Sequence, residues 1–295
     1  MQNIGILSQL KQISRDITLI KTFFLFLFFF NSSLSTCQNL PLWEVGAGFL
    51  AFRADHYRGS DQHKDYFFPG PYMVYRGKKV KAENSFVEGR FLKWGPYQLK
   101  LSLSLGLPVR SKDNHARQGM NNIYPTFEVG FLSELFLWSS KNQKVRLNFR
   151  WPIRQVIATD FREFDDAGIY SVPYLALSIM PQENTLGWGI EPSLAVMWGS
   201  QRYHQYFYGV PSVHARPDRP FYQGKRGFSG TQLSVVLSKR YKNLMFFPFI
   251  RYDILKGAVF EDSPLVRKKN YLLGGIGLAW LFISSKEKQS GQTVR

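Results

Sequence analysis

The chain has 295 residues, of which 44% are hydrophobic and 16% aromatic, and its formal net charge is +17. This length suits one large domain or two small ones. No segment reaches the roughly 18 apolar residues of a membrane-spanning helix, so the sequence does not predict a helical membrane protein. The positive charge is compatible with nucleic acid or with anionic envelope polymers as partners, and the segments described next favour the second.

The first segment of the chain, 1–37, is interpreted as a cleaved signal peptide. Its apolar run, 22–30, is too short to span a membrane and is preceded by three basic residues, Lys11, Arg15 and Lys21. The single cysteine, Cys37, has two interpretations: a lipoprotein acylation site, or a cysteine beside an ordinary cleavage point. Secretion argues against a nucleic-acid partner, and a lone cysteine excludes a disulfide within the mature chain.

The clearest alternation of apolar and polar residues lies in 97–107. Its odd positions are Tyr97, Leu99, Leu101, Leu103, Leu105 and Leu107, and its even positions are Gln98, Lys100, Ser102, Ser104 and Gly106. Because successive strand side chains point to opposite faces, this pattern predicts a β-strand with one apolar and one polar face. Its length is about the 9–11 residues that a tilted strand needs to cross a bilayer.

The same alternation recurs along the chain with no helical period between the segments. It is found in 43–51, 127–137, 145–153, 175–179, 188–198, 231–237, 246–254 and 272–282, and 86–94 is a strand without clean parity. These segments predict an all-β protein, a transmembrane antiparallel β-barrel of about 12 strands, with 10 as the alternative, over residues 38–283. A polar, flexible tail is expected over 284–295.

Two neighbouring segments place charged residues of both signs on one strand face. These candidates for lining the lumen are Glu128, Glu134, Arg146, Arg150 and Arg154. We expect Glu128 and Glu134 to approach Arg146 and Arg150 across the strands. The arginines would either select anions in a pore or form a ladder of ion pairs that keeps the lumen closed. The ladder is favoured because acidic partners stand in the adjoining strand.

The sequence predicts no catalytic residue, no metal site and no cofactor. All five histidines fall in expected loops without the spacing of a zinc site, and they are interpreted as solvated: His56, His63, His115, His204 and His214. A hydrolase at the barrel rim would use Asp55 with His56, or Ser200 with His204, but no Gly-x-Ser-x-Gly motif is present. The longest connection, 199–227, is expected either to enter the pore or to project outward.

Several short stretches resemble the MipA/OmpV family of outer-membrane proteins. They are Val45-Gly46-Ala47-Gly48, 55–61, Phe68-Pro69-Gly70-Pro71-Tyr72, Tyr208-Gly209-Val210, 252–258 and 262–266. The resemblance implies an outer-membrane barrel without catalytic residues. It also implies a role in holding a lytic transglycosylase beside a bifunctional penicillin-binding synthase, whereas other family members are described as porin-like.

Three functional hypotheses follow from the sequence. The first is a non-enzymatic outer-membrane scaffold for murein-remodelling enzymes, with a lytic transglycosylase and a penicillin-binding protein as partners. The second is a narrow channel for small solutes, with anions preferred. The third and least favoured is the rim hydrolase. In each case the expected surroundings are outer-membrane lipid and lipopolysaccharide, and nucleic acid is not an expected partner.

Overall fold

The computed structural model describes residues 41–76, 80–83, 86–182 and 185–287. The expected signal peptide, Cys37 and residues 288–295 of the expected tail lie outside the described residues. The strands are β1 Trp43–Asp55, β2 His63–Arg76, β3 Val80–Glu83, β4 Phe86–Trp94, β5 Tyr97–Gly106, β6 Thr126–Ser139, β7 Val145–Thr159, β8 Phe164–Ser171, β9 Tyr174–Ile179, β10 Gly189–Gly199, β11 Gly227–Tyr241, β12 Leu244–Ile254 and β13 Asn270–Ser284.

The sheet closes on itself as an antiparallel barrel. The last strand, β13, pairs with β1, and the other strands pair with their neighbours in the chain, except β8 and β9, which each pair with β7 and β10. Strands β8 and β9 share one position between β7 and β10, so thirteen strands occupy twelve positions. The expected transmembrane barrel of about twelve strands is therefore confirmed, although β2 and β8 were not recognised in the sequence as alternating segments.

The outer surface of the barrel is apolar. Outward side chains with a large exposed fraction include Phe67 at 63%, Phe131 at 58% and Trp280 at 58%. Five tryptophans lie near strand ends at the same end of the barrel: Trp43, Trp94, Trp138, Trp188 and Trp280. An apolar band bordered by aromatic residues is typical of barrel walls in contact with lipid.

The inner surface has two unlike sides. Strands β1, β2, β12 and β13 carry an apolar inner wall, formed by Leu50, Phe52, Tyr72, Val74, Met245, Phe247, Leu273 and Leu281. Strands β5, β6, β7 and β10 carry buried charged residues instead. The polarity of the inward side chains therefore changes along β1. Its inward positions are Glu44 and glycines at one end and Leu50 and Phe52 at the other.

The two ends of the barrel differ in their connections. Short turns, 95–96, 140–144 and 242–243, join strands at one end, which we call the short-turn end. At the other end the segments 56–62, 107–125, 200–226 and 255–269 fold together as a cap. The cap has its own hydrophobic core, in which the rings of Tyr208 and Phe260 stack with centroids 3.7 Å apart. In outer-membrane barrels the long loops face outward and the short turns face the periplasm.

The cap contains an α-helix, α1, over Gln201–Tyr208. The Ser200 hydroxyl accepts a hydrogen bond from the Tyr203 amide at the helix start, which satisfies one of the unpaired donors of the first turn. The sequence showed no helical period in this connection, because eight residues are too few to show one. Among the described residues, no helix has both the length and the apolar character needed to cross a membrane.

Candidate functional site

The lumen is the candidate functional site, and several of its buried charges form one connected group. Arg150 contacts the carboxylates of Glu134 at 2.7 Å and Glu191 at 3.1 Å. Glu134 also contacts Lys100 Nζ at 2.5 Å, and Glu191 accepts a hydrogen bond from the Ser178 hydroxyl at 2.6 Å. All five side chains are buried, so we call them the Arg150 network. Buried charges that are paired and hydrogen-bonded avoid most of the cost of leaving water.

A second ion pair lies nearer the cap. Arg154 contacts Glu128 at 3.1 Å and donates a hydrogen bond to the Ser102 hydroxyl at 2.8 Å. Ser102 and Glu128 stand on β5 and β6, and Arg154 stands on β7. The contact therefore bridges three consecutive strands across the inside of the barrel wall.

The cap reaches into the lumen through one arginine. Arg58, from the 56–62 connection, contacts Asp253 of β12 at 2.8 Å and donates to the carbonyl oxygen of Ser229. Asp253 is fully buried and also contacts Arg251 at 2.6 Å. One carboxylate thus holds two guanidinium groups, and the contact fastens the cap to the strands beneath it.

The predicted lumen residues have different positions in the structure. Glu134 and Arg150 stand opposite each other in the β6–β7 ladder, and their expected contact forms. The expected approach of Glu128 to Arg146 was wrong, because Glu128 pairs with Arg154. Arg146 stands opposite Ser139 at the short-turn end and donates to the Gln143 side chain at 3.5 Å. Register explains the difference: Glu128 stands opposite Val156, ten residues along β7 from Arg146.

Some charged lumen residues were not identified from the sequence. Lys100 and Glu191 occupy the polar parity of alternating segments, so the parity rule was a signal that could have found them. Arg58 and Asp253 had no such signal, because their contact joins a loop to a strand 195 residues away.

One histidine of the cap is buried rather than solvated. His204 has 0% exposure, and its Nδ1 contacts the carbonyl oxygen of Lys225 while its Nε2 contacts the Ser229 hydroxyl. Because a carbonyl oxygen only accepts, Nδ1 carries the proton and Nε2 accepts from Ser229. Burial lowers the pKa of His204 to about 4, and the nearby Arg58 acts in the same direction. The interpretation of all five histidines as solvated was wrong for His204.

A cavity of about 340 Å³ lies between the ion pairs and the cap. Polar groups on its border include Arg58, Thr126, Glu128, Arg154, Gln232 and Ser234. Apolar side chains from β5 and the cap border it as well, among them Leu103, Leu105 and Val109. This volume is at the lower end of the range of small-molecule pockets.

The described residues offer little support for metal or hydrolytic chemistry. No group of three or more His, Cys, Asp or Glu side chains within them is arranged to hold a metal ion. The Ser200 hydroxyl caps α1. His204 contacts Ser229, and both side chains have 0% exposure, so a substrate in solution has no access to this pair.

Solved structures of outer-membrane proteins share part of this shape. The high-pH structure of Pseudomonas putida OprB has 12% sequence identity to this chain and a TM-score of 0.34. The match covers 72% of this chain and 48% of OprB, so this chain spans about half of OprB's length. An outer-membrane channel of Pseudomonas putida F1 is 9% identical, TM-score 0.43, over 86% of this chain and all of that one. A bacterial polysaccharide outer-membrane secretin is 10% identical, TM-score 0.40, over 83% and 100%.

The sequence itself matches a family model over most of its length. No curated protein sequence matches the chain significantly. The model of the MltA-interacting protein MipA, however, matches residues 45–282, a span that begins in β1 and ends in β13. The matched span therefore includes the cap and all of the barrel wall except two residues at each end. The chain belongs to the MipA family and is an outer-membrane β-barrel protein.

Proposed function

We propose that this protein is a non-conducting, non-enzymatic scaffold in the outer membrane that holds murein-remodelling enzymes at its periplasmic end. The observation that supports the proposal is the Arg150 network, whose buried ion pairs join strands inside the lumen, with the cap folded over one end of the barrel. A barrel that does not conduct solutes and does not catalyse a reaction can still act by binding other proteins at its surface. The family description names an interaction with MltA, which supports a lytic transglycosylase as one partner. A penicillin-binding synthase is the second partner proposed.

The partner surface proposed is the short-turn end, because murein lies in the periplasm and short turns face that side. Three lysines in these turns are exposed, Lys141, Lys144 and Lys242. They give this end a basic surface that suits an acidic protein face or murein carboxylates. Charge complementarity of this kind guides association and selects partners.

A pull-down with matched charge variants tests the proposal. The purified full-length barrel in detergent is immobilised and exposed to periplasmic extract, and a lytic transglycosylase or a penicillin-binding synthase is expected among the retained proteins. Reversing the three short-turn lysines to glutamate should lower retention by about tenfold. The control reverses three exposed charges of the cap, Lys112, Arg216 and Lys256, and should leave retention unchanged. Retention of neither enzyme contradicts the proposal.

The channel hypothesis is the second candidate, and the cavity lined by arginines is the observation in its favour. Arg58 and Arg154 border the cavity, but each contacts a carboxylate, Asp253 or Glu128. An anion would have to displace these carboxylates to pass. The closed ladder of ion pairs is therefore the interpretation we propose, and conductance measurements distinguish the two.

A further inference from the structure

The ring of strand pairings is continuous, but among the described residues one part of the barrel wall has no pairing across it. On one side, β2 pairs with β1 along the whole of β1. On its other side, within the described residues, β2 pairs only through Tyr75 and Arg76, with β3. Similarly, β5 pairs with β6 along its full length, but with β4 only over 97–100. This leaves an opening between residues 63–74 of β2 and 101–106 of β5, which we call the lateral cleft.

Two prolines in β2 agree with an unpaired edge. Pro69 and Pro71 stand opposite Phe49 and Ala47 in a continuous ladder with β1. Proline has no N–H group, and in a sheet it is tolerated where its nitrogen faces away from the paired neighbour. The edge of β2 that faces the lateral cleft therefore lacks two of the donors that a further strand would need. The local sequence thus favours the cleft independently of the pairing pattern.

The lateral cleft lies within the apolar part of the wall. Phe67 and Met73 of β2 are 63% and 57% exposed, and both point outward. On the other side, the outward positions of β5 are leucines, including Leu101, Leu103 and Leu105. Unpaired strand edges do not face hydrocarbon without cover, because their backbone groups have no water there to bond. The group that covers the cleft must therefore contact lipid on one side and bond to polar backbone groups on the other.

The cavity of the lumen reaches the same place. Leu103 and Leu105, on the outward parity of β5, border the cavity together with inward residues such as Ser104. Consecutive residues of β5, 103–106, therefore border the cavity along the part of the strand that faces the lateral cleft. At its inner end, Thr126 Oγ1 is buried and has no hydrogen-bond partner among the described residues. Buried hydroxyl groups are nearly always bonded, and Thr126 also lines the cavity, so a rotation of its side chain would turn this hydroxyl toward a polar group of a ligand there.

The charged groups around the cavity balance. Three arginines and three carboxylates border it: Arg58, Arg154, Arg251, Asp55, Glu128 and Glu191. A head group of net charge would meet equal attraction and repulsion, whereas a head group carrying one charge of each sign could orient between them. This balance favours a zwitterionic amphiphile over an anionic one.

We propose that the lateral cleft and the cavity together form a binding site for a zwitterionic phospholipid. The head group lies in the cavity beside Thr126 and the arginine–carboxylate pairs, and an acyl chain lies in the cleft between β2 and β5. The lipid enters from the bilayer, because the cap and the Arg150 network cover the cavity at its two ends. This site is additional to the proposed scaffold role and does not depend on it.

Native mass spectrometry of the full-length protein tests this site with two probes, myristoyl lysophosphatidylethanolamine and myristoyl lysophosphatidylglycerol. We expect one bound molecule of the zwitterionic probe and binding of the anionic probe that is weaker by about tenfold. Leu103→Trp, which places a bulky ring at the mouth of the cleft, should weaken the first complex by about tenfold. The matched control is Leu99→Trp, which lies on the same face of β5 but where β4 pairs with the strand. This variant should bind the zwitterionic probe with unchanged affinity.

Several results would overturn this inference. Equal binding of both probes would contradict the head-group site, and equal weakening by both tryptophan variants would contradict the cleft. A protein that binds neither probe, or that instead forms dimers by pairing through the open edge, would contradict the site as a whole. Thr126→Val provides a further check that does not depend on filling the cleft. It should weaken the complex without lowering the temperature at which the barrel unfolds.

Discussion

Replacing Arg150 with methionine should destabilise the barrel more than any change of an exposed charge. Arg150 is 4% exposed and contacts both Glu134 and Glu191. Without it, Glu134 keeps Lys100 at 2.5 Å, but within the part of the chain that the structure describes Glu191 keeps only the hydrogen bond from the Ser178 hydroxyl. Removing one partner of a buried ion pair costs about 3–5 kcal/mol, because the remaining charge is left without compensation. We therefore expect a loss in that range for Arg150→Met.

The assay is the heat-dependent shift in gel mobility of the purified barrel in detergent, measured against temperature. A loss of this size should lower the apparent midpoint by roughly 10 °C. The control is Arg146→Met, on the same strand and parity but half-buried and bonded only weakly to Gln143; it should cost less than about 1 kcal/mol. Combining Arg150→Met with Glu191→Gln should restore about 1–2 kcal/mol. Equal midpoints for the two arginine variants would refute the reasoning.

Three further predictions concern the cap, the seam and the contact between cap and wall. His204 stays neutral in the folded protein down to about pH 4, whereas in the unfolded chain it takes up a proton below about pH 6.5. The stability of the cap should therefore be complete above about pH 6.5 and fall by about 3 kcal/mol toward pH 4. The loss should be seen as faster hydrogen exchange in 201–226, and His204→Gln should remove this pH dependence. Gly46→Ala should prevent closure, because the added carbon would lie 1.9 Å from a β13 carbonyl oxygen, whereas Gly274→Ala, with 3.6 Å to its nearest neighbour, should assemble normally. Asp253→Asn should cost about 3 kcal/mol and expose the cap to proteases, since two arginines lose their carboxylate.

The wall of the barrel could be predicted because it depends on a local rule. Alternation with a period of two follows from strand geometry, and it located most strands, including β5, β7 and β10. It did not find β8 or β2. In β2, prolines and aromatic residues occur on both faces, so apolar and polar residues do not alternate. In β1 the rule was incomplete, since Leu50 and Phe52 face an apolar inner wall that no single strand reveals.

The site could be predicted only where neighbouring strands form it. The contact of Glu134 with Arg150 follows from pairing β6 with β7 in register. Whether Glu128 pairs with Arg154 or with another arginine depends on how far these side chains reach along the wall. The Arg58–Asp253 contact depends on how the cap folds. The burial of His204 likewise depends on three loops meeting, which periodicity does not record.

Conductance in a planar lipid bilayer tests the closed lumen most directly. With the Arg150 network and the cap in place, the purified barrel should insert without producing stable steps of current. Discrete steps with a preference for anions, weakened by Arg150→Ala, would show an open pore and contradict the scaffold with a closed lumen.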